Sequence, residues 1–260
     1  MDQFSITQLD QFSIDKNNSF VNRERGDSVS LMAYSPFGIS EQLSENQPLT
    51  ICLENPAHFR KFVKDLNDFC DGISEEFAFL DGEGSKWISP SEIQIISNPS
   101  SVDFNSRQVS NAVIKEARQI CQVYELVTTE MLATFGRFSE AVMEKLPYLT
   151  IASDFNGDIN GFLKLCNFHF SPNLAGEDDV SVIQEWIKIS SQLLRDRLMV
   201  FLHPSSFYTE TELDEIVKTS IQTKIVLLFI ESADEKAYPN ENVLTIDSDL
   251  CLIKKSRIIR

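Results

Sequence analysis

Val180-Ser-Val-Ile-Gln-Glu-Trp-Ile-Lys-Ile-Ser-Ser-Gln-Leu-Leu-Arg-Asp-Arg-Leu-Met-Val-Phe-Leu-His203 and, further on, Lys224-Ile-Val-Leu-Leu-Phe-Ile230 decide the fold class. Ile183, Trp186, Ile187, Ile189, Leu193 and Leu194 recur at helical spacing, and the run Leu198-Met-Val-Phe-Leu follows directly. After the turn His203-Pro204-Ser205-Ser206, Leu213, Ile216 and Val217 mark a second helix, and Ile225 to Ile230 a second strand. Unbroken apolar runs belong to strands covered on both faces, and a strand–helix–strand crossover implies parallel pairing. Neither a phosphate-cradling loop nor an exposed nucleophile at a strand end accompanies this unit. The scaffold is enzyme-like and the chemistry is missing.

The chain has 260 residues, enough for a large core and for one or two domains. Its formal charge of −16 argues against general attraction to nucleic acid or anionic membrane. A local basic strip or bound cations can still reverse the field at one surface. Cys52, Cys70, Cys121, Cys166 and Cys251 are widely spaced with no C-x-x-C pair, as expected for reduced, buried thiols of a cytoplasmic protein. No apolar stretch approaches the roughly 20 residues of a membrane span, and the polar N-terminus is not a signal peptide. The expected compartment is the cytoplasm, without membrane contact.

Residues 1–31 read as a separate extension in which Asp2-Gln-Phe-Ser-Ile recurs as Asp10-Gln-Phe-Ser-Ile. An adaptor arm, a cloning remnant or an edge hairpin would fit so short a repeat, and a mobile extension is expected. Order should begin near Ser28, with two strands and a helix. Leu49-Thr-Ile-Cys-Leu is a buried strand, Asn55 and Pro56 form an N-cap and first-turn proline, and Phe59, Phe62, Val63, Leu66 and Phe69 share one helix face. Phe77 to Leu80 and Ile93 to Ile96 are further strands. Gly82-Glu-Gly-Ser-Lys86 fails the P-loop spacing and reads as a hairpin turn. From residue 106 the pattern becomes helical, with Val109, Val113, Ile114, Ala117, Ile120, Cys121 and Tyr124 in phase. Leu126, Met131, Leu132, Phe135, Phe138, Val142 and Leu146 continue it to Pro147, which predicts one or two long helices. A shorter helix follows near Ile159 to Asn167. The expected architecture is α/β, a mostly parallel sheet with an all-helical insertion.

Ser153-Asp-Phe-Asn-Gly-Asp158 places Asp154, Asn156 and Asp158 at alternate positions. Hard oxygen ligands at that spacing suit calcium, although no glutamate completes an EF-hand. A solvated turn at Asp154 and a helix N-cap at Asp158 explain the same residues. His58, His169 and His203 have no serine elbow or paired base beside them. His203, at a strand's carboxyl end, occupies the place where α/β sheets bind ligands, and is read as a loop histidine.

Several segments in order resemble the Csn-two family, the CRISPR-associated adaptation factors of type II-A systems. They are Leu49-Thr-Ile-Cys-Leu-Glu-Asn with Phe59-Arg-Lys-Phe-Val, Ser91-Glu-Ile-Gln-Ile-Ile, Phe104-Asn-Ser-Arg, Asp154-Phe-Asn-Gly-Asp-Ile and Leu163-Lys-Leu-Cys-Asn. Leu198-Met-Val-Phe-Leu, Lys224-Ile-Val-Leu-Leu-Phe-Ile-Glu and Asp247-Ser-Asp-Leu-Cys-Leu-Ile-Lys complete the likeness, over residues 32 to 256. The resemblance implies a head related to a degenerate P-loop ATPase (32–105 and 182–260) and a helical leg (106–181). It also implies a homotetrameric ring that binds calcium, threads the ends of linear double-stranded DNA without reading sequence, and has no catalysis of its own. Its role would be spacer acquisition in antiviral defence, with the CRISPR integrase complex and effector nuclease as partners. Calcium would fall to Asp154, Asn156 and Asp158. The N-terminal extension and the stretch around Leu174-Ala-Gly-Glu-Asp-Asp depart from the family.

A ring around DNA needs phosphate-contacting cations on its inner wall. The candidates are Arg107, Lys115, Arg118, Arg137 and Lys145 on the leg helices, with Lys188, Arg195 and Arg197 on the return to the head; Lys115 and Arg118 lie one turn apart. Solvated helix charge explains any one of them singly. Two rival functions fit the same sequence. One is a divergent nucleotidase, or a magnesium nuclease using Asp154 and Asp158. The other is a structural adaptor without DNA affinity.

Overall fold

The computed structural model describes residues 30–80, 85, 88–147, 158–171, 178–232 and 241–257. β1 (Ser30–Tyr34), β2 (Ile39–Leu43) and β4 (Phe77–Leu80) form a small antiparallel sheet in the order β2-β1-β4. The large sheet has six strands in the order β5-β6-β7-β3-β8-β9. They are β3 (Leu49–Leu53), β5 (Ile93–Ile96), β6 (Leu198–Leu202), β7 (Val226–Glu231), β8 (Glu241–Ile246) and β9 (Leu252–Arg257). All neighbours in it pair in parallel except β8 and β9. The mixed α/β class with a parallel-rich sheet therefore matches expectation.

Alternation along β6 shows why its sequence is apolar throughout. Leu198 and Val200 join a core on one face, with Phe62, Leu66 and Phe69 of α1 (Pro56–Cys70) and with Met32 and Tyr34 of the small sheet. Met199 and Phe201 join a second core on the other face. That core holds Ile183, Trp186 and Ile187 of α5 (Asp179–Ile189) and Leu213 and Ile216 of α6 (Glu210–Thr223). Helices on both faces leave no position for a polar side chain in such a strand.

Local chemistry sets the element ends. Asn55 Oδ1 accepts the Ala57 N–H at 2.8 Å and Pro56 opens α1, as the sequence predicts. Thr209 and Glu212 close a reciprocal capping box at α6. Gly38 takes φ +62°, where its freedom from a Cβ lets the chain turn from β1 into β2. Tyr34 is fully buried and donates to Asp65 Oδ2 at 2.7 Å, and Lys61 reaches the same oxygen at 2.8 Å, which locks β1 onto α1. Burial, then the bond to Asp65, pushes the phenol's pKa well above its ordinary value.

Among the described residues four α-helices lie between β5 and β6 in the chain: α2 (Arg107–Val123), α3 (Glu125–Lys145), α4 (Ile159–Cys166) and α5, which returns to the sheet. Two helices over 107–145 and a short third match the predicted pattern.

Three expectations need correction. The segment containing Gly82 to Lys86 lies mostly outside the described residues, but it joins β4 of one sheet to β5 of the other, so it closes no β4–β5 hairpin. The α-helix predicted through Leu194 ends at Ile189 and widens into a π turn over Ser190–Leu194. Arg195, at φ +64°, ends that turn, and the Asp196 N–H bonds the Ser190 carbonyl at 2.9 Å. All five cysteines are free thiols, but only Cys52 is buried; Cys166 and Cys251 are exposed.

Asp196 is 1 % exposed where the chain enters β6, and neither carboxylate oxygen reaches a donor at bonding geometry. Burial pushes its pKa from 3.8 up to about 7; the neighbouring Ser190 and Gln94 only partly oppose this. Between those two pH values the folded state holds a proton that the unfolded chain has released. Stability should therefore fall as pH rises from about 4 to about 7, then level off. Asp196→Asn should remove that slope, matching wild type near pH 4 and exceeding it at pH 8, by up to about 4 kcal/mol. Urea melts at the two pH values check this; equal differences at both would refute it.

Candidate functional site

The carboxyl ends of the parallel strands come first, because α/β sheets usually bind ligands there. At the end of β3 the chain passes through Glu54, Asn55 and Pro56 straight into α1. A phosphate cradle needs free N–H groups at a helix start. Here proline removes one and the Asn55 side chain takes another, and the residue before them, Glu54, is acidic. At the end of β6, His203 takes a left-handed φ of 50° and its ring stacks on Phe59 at 4.5 Å. Its Nδ1 lies 3.5 Å from Glu231 Oε2, and Glu231 Oε1 accepts the Ser205 N–H at 2.9 Å. The strand ends are thus closed by side chains that hold one another. His203 belongs to that clamp, which sequence reading could not assemble from residues 59, 203 and 231.

The acidic loop is the second place of interest. Asp154 and Asn156 lie outside the described residues. Asp158 is the N-cap of α4, and its Oδ1 accepts from the Asn160 backbone N–H at 3.0 Å and the Asn160 Nδ2 at 2.7 Å. Among the described residues no three His, Cys, Asp or Glu side chains gather as a metal site. Asp158 is an oxygen donor of the kind calcium takes, with one oxygen already engaged by its own helix.

The helices between β5 and β6 carry the third. The start of α2 is pinned: Asn105 exchanges two hydrogen bonds with the Phe170 backbone, at 2.9 and 2.8 Å, and Phe104 packs edge-on against Trp186 at 5.6 Å. Val109 is buried beneath it, and α2 lies against α4 and against the π turn that Arg195 ends. At 3.6 residues per turn, Arg107, Asn111, Lys115, Arg118 and Gln122 fall within an arc of about 80°. All five are exposed. The only acid of α2, Glu116, lies well off that stripe, and the three cations make no ion pair among the described residues.

The other predicted cations are placed differently. Arg137 is exposed on α3 and donates to Thr134 Oγ1 at 3.1 Å. Lys145 lies 4.0 Å from Glu144, and Lys188 3.2 Å from Glu185, so each is partly neutralised. Arg195 is exposed beside α2, whereas Arg197 is half-buried with its backbone bonded to Glu92 and Val226. The fold therefore aligns three of the eight on one face and spreads the rest.

An apolar surface accompanies the basic stripe. No described residue of α3 is buried; Leu126 is 81 % exposed, and Val123 at the end of α2 is 79 % exposed. Ile120, Tyr124, Val127, Phe138 and Leu165 are also open to solvent. Exposed apolar side chains in such number on neighbouring helices are of the kind that interaction surfaces use.

In sequence, residues 71–250 match the profile of the CRISPR-associated protein family Cas_Csn2. The chain belongs to the Cas_Csn2 family. The match takes in β4 to β8 and the helices between them, and it begins after β3 and α1, where the resemblance in sequence had started. Among solved structures, this Cas_Csn2 chain is similar to Stu0660 of Streptococcus thermophilus, with a TM-score of 0.52 and 13% identity, covering 87% of this chain and 76% of that one. At that identity the likeness speaks for the fold alone. MJ1267, an ATP-binding cassette of an ABC transporter, aligns with a TM-score of 0.41 and 12% identity, covering 85% of this chain and 87% of that one. No curated protein matches the sequence. No helix among the described residues is long and apolar enough to cross a membrane.

The clamp at the strand ends makes a direct prediction. Glu231→Ala leaves the Ser205 N–H without its acceptor and should cost about 1–3 kcal/mol in urea melts. Glu231→Gln, which keeps an acceptor oxygen, should recover most of that. A loss below about 0.5 kcal/mol for the alanine variant would refute the clamp.

Proposed function

We propose that this Cas_Csn2 protein is a non-catalytic, calcium-dependent ring of four copies that holds the ends of linear double-stranded DNA during CRISPR spacer acquisition. The observation that carries the reading is the α2 stripe. In a chain of net charge −16, three cations share one acid-free exposed helix face. Such a face suits phosphates, which bind through charge and carry no sequence information. Arg107, Lys115 and Arg118 make the primary contacts, with Arg137, Lys145, Lys188, Arg195 and Arg197 as outer contributors.

On this reading residues 106–181 form a leg and 32–105 with 182–260 a head of degenerate P-loop ATPase type. The exposed apolar surface of α3 is covered by neighbouring copies, and the −16 charge is offset where it would repel DNA. Calcium would be held by oxygens of Asp154, Asn156 and Asp158; when bound it neutralises acid near the leg. The filled strand ends support a head that serves as a frame, with no nucleotide turnover. The partners are the CRISPR integrase complex and effector nuclease, in the cytoplasm.

A gel-shift series on linear and closed circular DNA of one sequence, in calcium and in chelator, tests this. Linear DNA should bind in calcium, and circles or chelator should abolish binding. Replacing Arg107, Lys115 and Arg118 together by alanine should lower the slope of log affinity against log salt by about 3 per copy engaged. Equal binding to closed circles, or DNA cleavage lost on Asp154→Ala, would overturn the proposal.

A further inference from the structure

Asp196 closes the π turn with its own backbone, its N–H bonding the Ser190 carbonyl at 2.9 Å. Its side chain is buried at the same place. Neither carboxylate oxygen meets a donor at bonding geometry, and the hydroxyl of Ser190, also fully buried, has no hydrogen-bond partner. A carboxyl so placed is tolerated while it carries its proton. Once charged it is costly, because burial strips its hydration and no donor replaces it.

The charged neighbours do not offset that cost. Burial is the largest influence on Asp196, and Glu92, at the entry to β5, has the same sign and adds to it. Glu92 is held in place, since its Oε2 accepts from the Ser89 N–H at 2.8 Å and from Ser89 Oγ at 3.0 Å. Ser190 and Gln94 offer dipoles that oppose burial only in part. Arg195 is exposed, and Arg197 is half-buried with its backbone paired to Glu92 and Val226. On α2, Glu116 lies two turns from the buried Val109, on the side turned to the second core, whereas Arg107, Lys115 and Arg118 lie opposite. On α5, Lys188 is turned to Glu185 at 3.2 Å. Lys224 ends α6 beyond Thr223, whose carbonyl takes the Ser191 hydroxyl at 2.8 Å.

The walls round Asp196 differ in strength. β5 and β6 are locked in a parallel ladder from Ile93–Leu198 to Ile96–Phe201. The π turn has the wider i→i+5 pattern and ends at Arg195 in the left-handed region, which a residue other than glycine adopts at a cost. Leu193 and Leu194 of the turn pack against the second core, as do Val109 and Val113 of α2, and α2 rests on the turn. Opening the turn is therefore the least costly way to bring water to a charged Asp196, and it takes away the seat of α2.

We propose that Asp196 is a proton-operated latch: protonated, it keeps the π turn closed under α2, and on ionisation the turn opens locally and loosens α2. In the closed turn the carboxyl's pKa is raised to about 7, and in the opened, hydrated turn it returns towards 3.8. Each rise in pH between those values favours the open form, and the effect levels off above them. Because α2 carries Arg107, Lys115 and Arg118, the latch sets how firmly those cations are held. It does not depend on what they bind.

Hydrogen–deuterium exchange on the full-length protein at pH 5 and pH 8, corrected for the intrinsic effect of pH on exchange, tests the latch. In the wild type, amides of residues 190–196 and of α2 should be less protected than those of β3 and β7 at both pH values. Their protection should fall about tenfold or more between pH 5 and pH 8. In Asp196→Asn, which stays uncharged, that fall should vanish. A fall confined to β3 and β7 would mean that Asp196 meets water only when the whole fold opens, and would overturn the proposal. So would an equal fall in α2 in both proteins. The wild-type comparison stands alone if the variant does not fold: unchanged α2 protection from pH 5 to pH 8 would then sink the latch.

Discussion

β3 and β7 run side by side in parallel, and every residue of both is shielded from solvent. These two segments lie more than 170 residues apart in the chain, and neither can tolerate water on either face. Their pairing requires cover above and below, which α1 with the small sheet and α5 with α6 provide. β5 and β6 pair beside it in parallel although the helices α2 to α5 lie between them in the chain. The filled strand ends and the helix cover of the large sheet are arranged around that central pair.

The strand ends and the helices between β5 and β6 then divide the surface by chemistry. Where parallel sheets usually take ligands, proline, asparagine and the His203–Glu231 contact occupy the space. On α2 and α3 exposed side chains face outward: three cations along one α2 stripe and apolar groups over α3. On the proposed reading, closed strand ends and exposed helices belong to a protein that holds DNA. Family membership gives that contrast a setting, and the geometry of α2 gives it candidate residues.

The large sheet's centre was legible in the sequence because burial on both faces removes polar positions, which leaves runs such as Leu198 to Leu202 and Ile225 to Ile230 unmistakable. Caps were legible for the same local reason, since Asn55-Pro56 acts within one turn. The separate small sheet was not, because which strands pair is a long-range matter and β2 shows only Ile39 and Leu43 as buried ends around polar residues. β9 was hidden by its lysines, which suit an edge and break the apolar pattern. In the site, Lys115 and Arg118 could be paired by counting, but adding Arg107 needed the boundary of α2. The clamp of Phe59, His203 and Glu231 depends on three distant segments meeting and had no local signal.

The account depends most on copies of the chain covering one another's α3 surface in a closed assembly. Light scattering on purified protein, in calcium and then in chelator, measures this directly. In calcium the mass should be four times the 29.6 kDa of one chain, and chelator should lower it. A mass of one chain in both conditions would contradict the account, because the apolar helices would then face water unaided.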